Sequence, residues 1–432
     1  MPVNSISIIE KDQKYFNVLI TGLLLFGLSL PLSKSVNSII MLIIYLYSLT
    51  LFFVYPEIRM ATLRNINQPL TISILIYISI TLFGVFYSSD IAEGFNNAKR
   101  ISNLFFIYLM SSTLLDVKRG DQNKYKDGEC LLMSLVMGIF LLDIVGLLHY
   151  IFLGGKGLIP FTPLGIHHIW VGNLNAIGLY VAVSLMLFSH RRNIFINKML
   201  LISFIIVGIV ALILSTSRTA WLGLMLTTFV YLYFLIRNKK LYMVIILLVI
   251  TGCLFSYFYN DIINNRINQI FKDISLFLSG VSETSLGARF LMWKAAVKMW
   301  FSYPVFGVGT GDYNIMIARY IHSGYIPEFL SGFNQPHNMY LFVLATNGLV
   351  GFSALLYIFS RILKLSYVLL KCTNEKRLFG IIAISVTAHF MVAGLTESIL
   401  SIHMLISSFG LIMGVCMRKS LIKGMMQGLN ES

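Results

Sequence analysis

Two arginines and a histidine carry the chemistry that this sequence can do. Arg218 stands in the tight turn Ser215-Thr216-Ser217-Arg218-Thr219-Ala220-Trp221 between two apolar runs. Arg289 lies in a helical stretch, Ser285 to Trp300, with Ser285 a candidate N-cap. His337 belongs to Asn334-Gln335-Pro336-His337-Asn338, after which a new apolar run begins at Met339. An arginine beside a membrane span is costly in hydrocarbon, so it snorkels outward or meets an anion. Its planar fork suits phosphate oxygens, and the hydroxyls of Ser217 and its neighbours add donors. An imidazole with an unperturbed pKa of about 6.5 can take a proton at ambient pH. Two cations and one base suggest departure of a diphosphate, its growing charge held by guanidiniums, with a hydroxyl as nucleophile. A saccharide carried on a lipid diphosphate fits that description. On residue type alone, plainer readings stay open: Arg218 as an interfacial anchor, His337 as a polar residue at headgroup level.

Other groups are weaker candidates. His167-His168 follow Pro160 and Pro163 in a Gly- and Pro-broken connection; they could touch a ligand or be a solvated loop feature. Asp143 and His389 lie mid-span, as does His403, and Glu397 sits near the outer end of a span. Ionisable residues inside membranes are functional candidates. Asp143 with His389 could form a proton relay or a satisfied structural hydrogen bond. Gly307-Val308-Gly309-Thr310-Gly311-Asp312 resembles a phosphate loop superficially, but no Lys-Ser/Thr follows and no strand precedes, so it reads as a turn.

The elements that must position these residues are membrane helices. Of 432 residues 57% are hydrophobic and 12% charged, where a soluble protein carries about a quarter charged. Apolar runs of ~20 residues recur, enough to cross ~30 Å of hydrocarbon, and the alternating ~10-residue segments of a barrel are absent. The net charge of +15 is spread over loops and sorts by side, which excludes nucleic acid as a partner. Cys130, Cys253, Cys372 and Cys416 lie in or beside apolar runs, so no disulfide framework is expected. No Cys/His cluster has metal spacing, and no cofactor is implied. The first run, from Phe16, lacks a small-residue cleavage site and reads as a retained span.

The sequence predicts an all-α polytopic membrane protein with about twelve spans: 16–33, 36–55, 69–88, 101–116, 130–153, 173–189, 198–216, 219–236, 241–258, 338–362, 378–397 and 400–417. With the N-terminus in the cytoplasm, the inside segments carry most of the Lys and Arg. They include Lys118, Arg119, Arg191, Arg192, Arg237, Lys239, Lys364, Arg418, Lys419 and Lys423. The short outside loops carry only Lys34, Lys99, Arg100, Lys156 and Arg218. By the positive-inside rule both termini are cytoplasmic and the stretch 259–337 is a large external loop between the ninth and tenth spans. Within that loop Arg289, Trp293 and Trp300 share a helical face, and the Trp, Phe, Leu and Lys mixture suits a helix at the headgroup level. No internal repeat or soluble linker is evident, so residues 1–432 form one membrane domain. Outside the cytoplasm nucleotide sugars are lacking, which makes a preformed lipid-linked donor the natural energy source.

At this point the sequence resembles the bacterial O-antigen ligase group of the ligase and polymerase superfamily. The specific part is the end of the large loop. His337-Asn338, nine residues from Met339 to Asn347, then Gly348-Leu349-Val350-Gly351 match the family pattern in full. Arg218 and Arg289 match the family's arginines before and within the loop. Glu397 is placed at the acidic position toward the chain's end. The resemblance implies an all-helical glycosyltransferase of the C type (GT-C). It would transfer O-antigen polysaccharide from undecaprenyl diphosphate to the lipid A-core, at the periplasmic face of a Gram-negative inner membrane. It would be metal-independent and inverting. Arg218 and Arg289 would grip the diphosphate and His337 would deprotonate the acceptor hydroxyl, with Asn338, Glu397, Ser217 and His168 in support. The loop helix and spans would leave a lateral opening for lipid tails.

Three rivals stand beside this reading. A protein-targeting oligosaccharyltransferase shares the motif, but usually with a longer chain and an added periplasmic domain. An O-antigen polymerase has similar topology but a lipid-linked acceptor. A transporter or flippase would use Asp143 and His389 as a relay, and would need more intramembrane charge than is found here.

Overall fold

The computed structural model describes residues 3–109, 121–152, 161–188, 194–372 and 374–417. Among these residues the regular structure is helical, without strands. The chain runs α1 (Val3–Ser29), α2 (Lys34–Val54), α3 (Pro56–Ile66), α4 (Pro69–Phe86), α5 (Ile91–Ile101), α6 (Phe105–Leu109), α7 (Asp121–Phe152) and α8 (His168–Phe188). It continues through α9 (Ile194–Leu214), α10 (Arg218–Leu235), α11 (Lys239–Tyr259), α12 (Asp261–Leu278), α13 (Ser285–Ser302) and α14 (Tyr313–His322). The last three are α15 (Met339–Leu370), α16 (Asn374–Ala393) and α17 (His403–Cys416). Local chemistry sets many of the starts. Pro56 and Pro69 open α3 and α4, where a missing N–H costs nothing. Ser33, Asp90, Ser217, Asn238, Asn260, Thr284 and Asn338 each accept a first-turn N–H, each cap worth about 1 kcal/mol.

Eight described helices are long and apolar enough to cross a membrane, and Asn17–Ser29, Lys198–Leu214 and His403–Cys416 are shorter apolar helices. Eleven of the twelve expected spans thus coincide with apolar helices. The remaining one, 101–116, departs from expectation where it is described: a 3-10 turn (Ser102–Leu104) and the five-residue α6 occupy its first half. Residues 110–116 lie outside the described residues, as do Lys118, Arg119, Lys156, Arg191, Arg192, Arg418, Lys419 and Lys423.

The main core is the seam where α15 packs on α16 and α4, α10 on α16 and α8, and α1 on α7. A second, smaller core lies in the 259–337 stretch. Ala288, Met292, Ala295, Ala296 and Met299 on one face of α13 pack against Tyr313, Met316, Ile317 and Tyr320 of α14, and against Ala345 of α15. The helix expected to lie in the headgroup zone is therefore clamped to the membrane helices along its small-residue face.

α15 is broken at Gly348, whose φ of 62° and ψ of −162° lie far from helical values. The break strands backbone groups that lipid cannot hydrate. The turn and irregular segment 304–309 satisfies them. Val308 and Gly309 N–H donate to the Ala345 and Thr346 carbonyls at 2.9 and 3.1 Å. Leu349 and Val350 N–H donate to the Pro304 and Val305 carbonyls at 2.9 and 3.2 Å. Only glycine fits at 348: a Cβ there would collide with the Val305 carbonyl, at a φ that L-residues avoid. The Gly-rich segment 307–312 therefore spends its N–H groups on the fold, as the turn reading expects.

Candidate functional site

His337 is held by its neighbours in the chain. Its φ of 49° is left-handed, a conformation costing of order 1–3 kcal/mol that surrounding structure must impose. Four hydrogen bonds around it impose it. The Trp293 indole N–H donates to the Pro336 carbonyl at 2.9 Å. Asn338 caps α15 through Leu341 N–H at 3.0 Å, while its amide donates to the Leu395 carbonyl at 2.9 Å. Met339 N–H donates to the Gly394 carbonyl at 2.8 Å. The loop end is thus stapled to the turn that follows α16, and that turn carries Glu397.

The imidazole meets this carboxylate directly. His337 Nδ1 lies 2.9 Å from Glu397 Oε2 and 3.1 Å from Oε1. A carboxylate only accepts, so Nδ1 donates and Nε2 is left with the lone pair in the neutral ring. Glu397, 2% exposed, also accepts from Gln335 Nε2 at 3.2 Å and from Ser398 N–H at 3.1 Å. Three donors fix the carboxylate, and the carboxylate fixes the ring. Glu397 lies in the turn beyond α16, not within a span.

The arginines converge from three helices. Ser215-Thr216-Ser217 turns the chain from α9 into α10, with Thr216 at a left-handed φ of 50°. Gly172 of α8 lets that turn pack closely, because a Cβ there would press on Ser215, Ser217 and Ala220. Arg218, the first residue of α10, donates from Nη2 to Ser285 Oγ at 3.2 Å, and its Nη1 lies 3.7 Å from Asp273 Oδ2 of α12. Arg289 stands one turn beyond Ser285 on α13. Burial presses its guanidinium below arginine's usual range; Glu397 opposes this, while Arg218 and Arg266 add to it. Arg266 of α12 donates to the Thr216 carbonyl from Nε at 3.3 Å and from Nη2 at 3.1 Å. Thr396 and Thr219 hydroxyls meet at 3.1 Å, tying the start of α10 to the Glu397 turn.

These pieces surround a cavity of about 460 Å³, lined among others by Glu283, Ser285, Arg289, Phe329, Phe333 and His337. Arg289 and His337 thus share one space, and Arg218 reaches its edge through Ser285. His168 lies alongside: its Nδ1 donates to the Ser215 carbonyl at 2.8 Å, leaving Nε2 as an acceptor. The His167 ring packs against it at a tilt of 37°, the centroids 4.6 Å apart. Burial lowers the His167 pKa, with Glu397 opposing and His337 adding to the shift. His168 thus abuts the turn that carries Arg218.

Several residues take other tasks than the sequence suggests. Ser217 is 1% exposed and caps α10 through Ala220 N–H at 3.3 Å, so its hydroxyl serves the helix, not the cavity. Asn338 likewise spends its amide on capping and stapling. The N-cap of α13 is Thr284, through Gly287 N–H at 3.1 Å, which leaves Ser285 to receive Arg218. Asp143 and His389 pair apart: Asn175 Nδ2 donates to Asp143 Oδ1 at 3.0 Å, and His389 Nε2 meets Asn173 Oδ1 at 2.9 Å. Sequence reasoning missed Asp273 and Arg266, and gave Ser285 the role of a cap instead of a partner of Arg218. The first two stand seven residues apart on one face of α12, a spacing that could have flagged them.

Residues 201–356 match the family model of O-antigen ligase. The matched stretch contains Arg218, Arg266, Asp273, Arg289, His337 and the α15 break, and ends before Glu397. An uncharacterized protein of Haemophilus influenzae is 28% identical over 328 residues, covering 73% of this chain and 76% of its own length. The resemblance read from His337-Asn338 through Gly351 is thereby shown: this stretch carries an O-antigen ligase family domain of the ligase and polymerase superfamily.

Proposed function

We propose that the chain is an O-antigen ligase, moving polysaccharide from undecaprenyl diphosphate to a sugar hydroxyl of the lipid A-core. The reaction takes place at the periplasmic face of the inner membrane, with both termini in the cytoplasm and the 259–337 stretch outside. The observation that carries this reading is the cavity shared by Arg289 and His337, with Glu397 behind the imidazole.

The acceptor hydroxyl hydrogen-bonds to His337 Nε2. Its oxygen attacks the anomeric carbon while the bond from that carbon to the diphosphate oxygen breaks. The proton passes to Nε2, the electron pair leaves with the diphosphate, and a single displacement inverts the anomeric centre. Glu397 steadies the imidazolium that forms, as a carboxylate behind a histidine base does. Arg289 binds the leaving diphosphate, and Arg218 can exchange its loose 3.7 Å contact with Asp273 for a phosphate oxygen. Each such donor is worth roughly 2–4 kcal/mol in the transition state. No metal or nucleotide enters any step.

The test is reconstitution: purified protein, lipid-linked polysaccharide and rough lipopolysaccharide, in chelator. Ligated lipopolysaccharide is the expected product. Chain extension on the lipid-linked substrate alone, without transfer to the core, would make the protein a polymerase instead.

A further inference from the structure

Seen down the axis of α13, successive residues turn by about 100°. Arg289 and Met292 therefore face the cavity, while Lys294, Lys298 and Phe301 face the opposite way. On that outer side lies a second, open groove of about 600 Å³, walled by Trp293, Lys294, Lys298 and Phe301 of α13 and by Tyr325 and Leu341. From Trp293 to Phe301 it runs about 12 Å along the helix at ~1.5 Å per residue.

The groove is both basic and aromatic. Lys298 Nζ sits 3.5 Å from the centroid of the Tyr325 ring and 4.9 Å from that of Tyr320, and Lys294 Nζ is 4.6 Å from Tyr325. Neither ammonium has a carboxylate within ion-pair distance among the described residues. Rings hold the two charges in place without neutralising them. Trp293 stands between the groove and the site: it walls the groove, and its indole N–H donates to the Pro336 carbonyl, next to His337.

We infer that this groove binds an anionic, phosphate-bearing saccharide, the lysines meeting its phosphate and Trp293, Phe301 and Tyr325 its ring faces. On the ligase reading, on which this assignment rests, that saccharide is the acceptor core, which enters along α13 and reaches His337 past Trp293. Charge complementarity favours it: the cavity side holds the arginines suited to a diphosphate, and the outer side holds point charges suited to a monoester. A concave wall with both ammonium groups laid on tyrosine favours a saccharide over a flat headgroup layer, where lysines project freely.

The experiment uses the full chain in nanodiscs of neutral lipid. The probe is rough-type core oligosaccharide freed of lipid, either with its phosphates or after chemical dephosphorylation, and calorimetry reads the Kd. The phosphorylated form binds wild-type protein. Dephosphorylation weakens binding roughly tenfold, as does the Lys294→Gln/Lys298→Gln pair. The two changes together cost no more than one. The Lys294→Arg/Lys298→Arg pair restores binding, which separates charge from misfolding. Equal binding of both oligosaccharides, or unchanged binding by the glutamine pair, overturns the inference. So does a lysine effect that appears only when anionic lipid is added, which would assign the groove to membrane headgroups. Protein that binds as stated but never transfers polysaccharide would remove the ligase reading and leave the groove.

Discussion

The His337 imidazole and the Glu397 carboxylate, 60 residues apart in the chain, meet at 2.9 and 3.1 Å through one ring nitrogen. Their pairing leaves the lone pair of a neutral His337 ring on Nε2, the atom that the proposed mechanism uses as base. It joins the end of the large loop to the turn after α16, so this arrangement forms only when both are in place.

Glu397→Gln tests the pairing. An amide can donate to Nδ1, which would move the proton to Nε2 and occupy the lone pair that the mechanism needs. Transfer should fall by a factor of order 10²–10⁴, as when a histidine base is left in the wrong tautomer. Donor binding should be retained. Single-turnover transfer and donor Kd, measured on the same preparation, check both parts; a rate within twofold of wild type refutes the role given to Glu397.

Arg289→Ala should cost about 10²–10³ in kcat, the usual scale for one lost transition-state donor. Arg289→Lys should recover little of this, because an ammonium cannot present a fork to two phosphate oxygens. Full rescue by lysine would show that Arg289 supplies charge alone.

Asp273 lies 3.7 Å from the Arg218 guanidinium, and on the proposed mechanism it competes with phosphate for it. Asp273→Asn should leave transfer within a few-fold of wild type, with the donor KM equal or lower. Arg218→Ala should raise that KM and lower the rate. A loss in Asp273→Asn as deep as in Arg218→Ala would mean that the acid positions the arginine.

Gly348→Ala tests the broken helix. A Cβ at this φ would meet the Val305 carbonyl, so destabilisation of about 1–3 kcal/mol is expected. It should show as a lower Tm in detergent. Gly332→Ala, where a Cβ meets nothing within 4 Å, is the control and should melt like wild type.

Hydropathy placed the membrane helices well, because runs of ~20 apolar residues need no partner to be recognised. The pattern from His337 to Gly351 was also legible, and each of its residues has a local task. His337 pairs with Glu397, Asn338 caps, Gly348 breaks the helix, and Gly351 admits the Asn347 side chain. What could not be read were pairings across the fold. Segment 304–309 repairs the break in α15, Asp273 answers Arg218, and Arg266 props the Thr216 turn. The spacing of Arg266 and Asp273 marks one face of α12, but it does not say what that face meets. Ser217 misled because a hydroxyl beside an arginine looks like a donor, whereas the same residue at a helix start is a cap.

The most direct test removes the base. Purified wild-type and His337→Ala proteins are given lipid-diphosphate-linked polysaccharide and rough lipopolysaccharide in EDTA, and ligated product is followed with time. Wild type should ligate without added metal, and the variant should be slower by a factor of at least ~10², the low end for a lost general base, while still binding donor. Ligation by His337→Ala at the wild-type rate, or a divalent-ion requirement in the wild type, would contradict the account.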